Sequence, residues 1–169
     1  MNVFDRIDTL PSDYRMTVAS LLGDDVVRSM ASMRHHDRTT LEHSLAVSTL
    51  AYRAARRLRL NARATARGAL LHDFFLYDRR QGHNPHHPTR HARVALQNAQ
   101  ARFALEAVEA DIILTHMWPI GGPFYSYKES VLVSIVDKIV SSREVFFLFM
   151  QTVSRIFRLF ASRLVWSMP

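Results

Sequence analysis

Nine histidines lie between His35 and His116, and the chain contains no cysteine. A metal held by this sequence would therefore be bound by imidazole nitrogen and carboxylate oxygen rather than by thiolate. The lack of cysteine also excludes disulfide scaffolds, cysteine-ligated zinc, iron–sulfur clusters and thiol nucleophiles. The other chemistry open to clustered histidine and aspartate is a buried polar network, in which every member must be hydrogen-bonded. The choice depends on whether the elements carrying these residues turn them toward one place.

Those elements read as helices throughout, and strand-like alternation is nearly absent. Residues 12–22 form a helix closed by Gly23, and Asp24 caps a second one reaching Met33. Thr39 and Glu42 make a capping box that opens a long helix to about Leu60. Asn61 caps the next, which runs to about Phe75. Residues 78–88 are a loop with two prolines. Thr89 starts a helix to about Ala101, 103–117 form another, and 119–123 turn. A helix over 128–144 and a last one over 145–166 complete the chain. A length of 169 residues with 48% apolar content suits one all-α domain with its own core.

Helical phase then places the polar residues. Along 40–60 the inward stripe is Val47, Leu50, Ala51, Ala54 and Leu58, and His43 joins it four residues before Val47. Along 103–117 the stripe is Leu105, Val108, Ile112 and Ile113. His116 shares it, while Glu106, Glu109 and Asp111 fall off it. Asp73 shares the face of Ala66, Ala69 and Leu70, with His72 beside it. Asp137 sits within the apolar run Val131–Val140, where a carboxylate is costly unless paired or metal-bound. Four polar residues from four helices thus point toward one core.

The order His43, His72-Asp73, His91, His116 and Asp137 resembles the HD superfamily of metal-dependent phosphohydrolases. So do Ala69-Leu70-Leu71 ahead of the His-Asp pair and Ile135-Val136-Asp137-Lys138. The stretches 39–44, 66–78, 91–99 and 111–119 look like a small bacterial branch of that superfamily, with coverage from about 35 to 144. The resemblance implies an all-α helical bundle with a metal site at its centre. It implies that His43, His72, Asp73 and Asp137 hold one metal, and that His91 and His116 hold a second with Asp73 bridging. The metals would be one or two divalent ions among Fe, Mn, Co, Ni and Zn. Two departures stand out. Phe74-Phe75-Leu76 follows the pair where cyclic-dinucleotide phosphodiesterases carry Ile-Gly-Lys, and Met117 follows His116 where many members carry a second histidine.

The activity implied is hydrolysis of a phosphomonoester or phosphodiester, nucleotide-like substrates included, by a metal-activated water. Asp78 is a candidate general acid or base. Lys138 and His35 are candidate phosphate contacts, and Trp118 could stack on a base. His36, His83, His86 and His87 are assigned no role. The competing readings are an HD-fold module that binds a nucleotide or RNA with little turnover, and a di-iron oxygenase.

Charge adds a broad preference. The net charge is +7, and residues 34–103 carry 13 basic and 4 acidic side chains. That field attracts phosphorylated ligands, with nucleic acid a weaker candidate and a solvated arginine face the plain alternative. The N-terminus is too polar for a secretory signal. The longest charge-free apolar stretch near the C-terminus, Val145–Ser154, falls far short of the roughly 20 residues of a spanning helix. Cytoplasm is the expected location. The expected organisation is N-terminal helices over 1–34, a metal-binding domain over 35–144 and an amphipathic helix over 145–169. In the last, Phe146, Phe149, Met150, Val153, Phe157, Phe160 and Leu164 form a stripe with Arg155, Arg158 and Arg163 at its margins. It would pack on the domain, make a homodimer, or lie on an anionic membrane.

Overall fold

The computed structural model describes residues 7–35, 38–76 and 87–165. Its elements are α1 (Ser12–Leu22), α2 (Asp25–Ser29) with a 3-10 turn over Met30–Ser32, and β1 (Arg34–His35) paired antiparallel with β2 (Arg38–Thr39). Then come α3 (Thr40–Arg57), α4 (Ala62–Leu71), α5 (His87–Arg102), α6 (Ala107–Thr115) and α7 (Lys128–Val165). The fold is all-α, the two-residue strand pair being the small exception.

The caps act as the sequence predicts. The Asp24 carboxylate accepts from the amides of Val26 and Val27. Thr39 and Glu42 form the full capping box of α3, and the Asn61 side chain accepts from the Ala64 amide. Each satisfies amide donors that the first turn of a helix leaves unpaired.

Helix α4 is the centre of the molecule, with Ala64 through Leu71 all buried. One side meets Tyr14, Val18, Leu21, Leu41, Leu45 and Ile113. The other meets Val47, Ala51, Ile112, Val133 and Val140 through Ala69. Gly68 makes the approach of α6 close. A Cβ there would stand 3.0 Å from the Ile112 side chain. Small residues on α4 thus let the elements ending in His72 and His116 come together.

Three expectations are corrected. Leu50 and Leu58 are exposed, and the buried face of α3 is Leu41, His43, Leu45, Val47, Ala51, Tyr52 and Ala55. The face is turned because neighbours cover α3 on the side of Leu41, Leu45 and Tyr52 as well as on that of Val47 and Ala51. Glu109 is fully buried, because Arg67 reaches it from α4 with Nε 2.5 Å from Oε1. Residues 128–165 form one helix rather than two, since no glycine, proline or cap interrupts the chain at Glu144–Val145. Beyond Glu144, the side chains from Val145 to Met150 are exposed.

Candidate metal centre

The capping box sets where α3 begins, and His43 lies four residues past the cap, fully buried. Its Nδ1 lies 3.1 Å from Glu144 Oε2 and its Nε2 lies 3.1 Å from Asp137 Oδ1. Both carboxylates come from α7, seven residues apart, two turns along one face.

His72 and His116 share a local design. Each is the C-cap of its helix, α4 and α6 respectively. The last carbonyls of a helix lack intrahelical partners. His72 Nδ1 donates to Ala69 O at 2.7 Å, and His116 Nδ1 donates to Ile113 O at 2.8 Å. A carbonyl only accepts, so Nδ1 carries the proton and Nε2 turns its lone pair inward.

The inward atoms converge. His72 Nε2 is 3.6 Å from Asp73 Oδ2 and 3.7 Å from Asp137 Oδ1. His91, on α5, places Nε2 2.9 Å from His116 Nε2 and 3.4 Å from Asp73 Oδ1. His116 Nε2 is 3.7 Å from the same Asp73 oxygen. Two sets of donor atoms each fit within 4.8 Å: His43, His72 and Asp73, and Asp73, His91 and His116. Asp73 belongs to both, and Asp137 adjoins the first through its two imidazoles. All six side chains are buried.

The donor set fits a divalent metal. His72 Nε2 is buried without a hydrogen-bond partner, and the nearest oxygens lie beyond bonding distance. Such a nitrogen is costly unless it binds something. The facing Nε2 atoms of His91 and His116 can satisfy each other with one proton at most. Imidazole with carboxylate suits borderline divalent ions.

The electrostatics differ across the cluster. Burial opposes charge on His43, but the hydrogen bonds of Asp137 and Glu144 outweigh it and raise its pKa to about 10. Burial also opposes charge on His72, yet the Asp73 charge and Asp137 hold its pKa above the usual value. Asp137 is desolvated, but His43 and His72 keep its carboxyl well below the ordinary range. His116 goes the other way: burial, then the charge of His72, lower it to about 3.

Lys138 is half-buried, and its ammonium donates to His116 O at 3.0 Å, Ser134 O at 3.3 Å and Ser134 Oγ at 2.6 Å. Ser134 Oγ donates to His116 O at 2.7 Å. A cation at the C-terminal end of α6 is favoured by the helix dipole. Trp118 is 36% exposed and packs edge-on against Phe124 at 5.2 Å and Tyr125 at 5.4 Å. His35 lies on β1, its side chain outside the description. Asp78, His36, His83 and His86 lie outside the described residues.

Sequence reasoning missed Glu144, which is 3% exposed. Its signal was present. It stands seven residues after Asp137 and four after Val140, on the buried face, and ending the helix at Glu144 hid that continuity.

Comparison with known proteins agrees with this geometry. The family described as HD domain matches residues 40–140, well over half the chain, and the chain belongs to it. HD domains bind divalent metals and typify metal-dependent hydrolases. No curated protein and no solved structure matches the chain. No helix among the described residues is long and apolar enough to cross a membrane.

Proposed function

We propose that the protein is a metal-dependent phosphohydrolase cleaving a phosphomonoester or phosphodiester, nucleotide-like substrates included. The observation that carries this reading is the partnerless, buried Nε2 of His72 among carboxylates and imidazoles, in a chain of the HD family. His43, His72, Asp73 and Asp137 would hold one divalent metal, and Asp73, His91 and His116 a second. A bound metal supplies a water acidic enough to act as nucleophile near neutral pH, and positive charge for the phosphoryl oxygens.

The protein's own groups do the rest. Asp73 ties the two donor sets together with its two oxygens, which face His72 on one side and His91 and His116 on the other. Backbone carbonyls fix the tautomers of His72 and His116. Lys138 and Ser134 hold the His116 carbonyl, a positioning role in place of the phosphate contact expected from sequence. Asp78 as general acid or base, His35 as phosphate contact and Trp118 as a stacking surface complete the proposal.

The test is elemental analysis of purified protein beside hydrolysis of a phosphomonoester and a phosphodiester panel with added Mn²⁺, Co²⁺ or Ni²⁺. Turnover that needs metal and vanishes in Asp73→Ala supports the reading. Full metal content with no turnover on any substrate would replace it with a binding module.

A further inference from the structure

An imidazole that ligates through Nε2 needs a partner on Nδ1 to fix its tautomer and its plane. His72 and His116 find theirs locally, on the carbonyls that end their own helices. His43 stands near the start of α3, where the carbonyls three and four residues back begin the helix ladder. Its Nδ1 partner is instead Glu144, 101 residues away at 3.1 Å.

Glu144 has no simple reason to be inside. It is 3% exposed, and a buried carboxylate is unfavourable without partners that match it. Arg38 Nε, on β2, is 4.0 Å from Oε1 and offsets part of its charge. The carboxylate meets the Nδ1 edge of the ring, whereas Asp137 meets the Nε2 edge. One face of α7 therefore supplies two carboxylates to one imidazole, one on each ring nitrogen.

We propose that Glu144 is a positioning residue of the metal centre: it accepts the Nδ1–H of His43 and so turns the opposite nitrogen toward the metal, without being a ligand itself. The proposal rests on the metal reading above. It joins the outer end of the site to β2 and the start of α3 through Arg38, which the family match at 40–140 does not include.

Zn²⁺ is the probe, since it is diamagnetic and spectroscopically silent. Its affinity is read by competition with a chromophoric chelator, its stoichiometry by elemental analysis, and the His43 tautomer by imidazole ¹⁵N–¹H correlation spectra. Glu144→Ala should bind the same number of ions as wild type with affinity lowered by roughly 10–100-fold. Glu144→Gln keeps an acceptor oxygen and should lose less. The Zn²⁺-loaded wild type should show a His43 Nδ1–H resonance protected from exchange, weakened in Gln and absent in Ala. Should the alanine variant not fold, the glutamine variant carries the test through affinity and spectrum together. Wild-type affinity and an unchanged Nδ1–H signal in the variants would overturn the proposal alone. Loss of one ion per chain in Glu144→Ala would overturn it by making Glu144 a ligand. A wild type that takes up no Zn²⁺ would remove the metal reading, and this proposal with it.

Discussion

The two halves of the cluster are built from the same residue types and behave oppositely. On the α3–α7 side, His43 and His72 face the carboxylates of Asp137, Asp73 and Glu144, and both have raised pKa values. On the α5–α6 side, His91 and His116 face each other and one oxygen of Asp73, and the His116 pKa falls to about 3. Burial is nearly complete on both sides. At His43 the hydrogen bonds of Asp137 and Glu144 outweigh burial, whereas at His116 burial and the charge of His72 prevail. His43 must release a proton before the first half can take a metal, whereas His116 already offers a bare nitrogen.

The largest effect should come from the residue the halves share. Asp73→Ala should empty both donor sets, with metal content falling to none and hydrolysis to background. Metal retained in that variant would refute the shared-ligand assignment. His91→Ala should instead cost one ion per chain at most.

Asp137→Ala removes the counter-charge between two buried imidazoles. We expect a loss of about 3–5 kcal/mol in the metal-free protein, as when one partner of a buried pair is deleted. His91→Ala should cost only the ~0.5–3 kcal/mol common for single substitutions. Urea unfolding in chelator measures both, and equal losses would erase the contrast between the halves.

Gly68→Ala tests the spacing between them. The added methyl group meets Ile112 at 3.0 Å, and overpacking of that kind costs about 1–3 kcal/mol. Because α4 and α6 end in His72 and His116, metal affinity should fall along with the unfolding midpoint.

The pH dependence of stability reads the same contrast. His43 binds its proton more tightly folded, at about 10, than at the unfolded value of 6.5. Its contribution is complete below 6.5 and is lost as pH rises toward 10. His116 has a folded value of about 3 against 6.5. Its contribution is present above 6.5 and is lost as pH falls toward 3. Metal-free protein should therefore unfold at lower urea on either side of a maximum near pH 6.5, and His43→Gln should flatten the alkaline limb. Metal binding should tighten as pH rises, because the proton on His43 must leave.

Much of this was legible in the chain. Thr39 and Glu42 announced where α3 starts, and that start placed His43. Helical phase turned His43 and His116 inward, and both are buried. The apolar run around Asp137 marked it as a carboxylate in need of a partner, which His43 supplies. Glu109 was not legible. Charged residues usually lie outside, and nothing near it in sequence names Arg67, 42 residues earlier, as its partner. Leu50 and Leu58 misled for a related reason. Periodicity gives the spacing of a face, but neighbouring elements decide which part of the circumference they cover.

The sequence by itself determined the helices, their caps, and the order in which imidazoles and carboxylates occur, because capping and the 3.6-residue period act over a few residues. It also determined that any metal site would be one of nitrogen and oxygen. Only the tertiary structure decided which nitrogen of His43, His72, His91 and His116 turns inward, that Asp73 touches both donor sets, and that Glu144 reaches His43. Those facts depend on contacts between helices far apart in the chain, and no local rule of propensity or period specifies them.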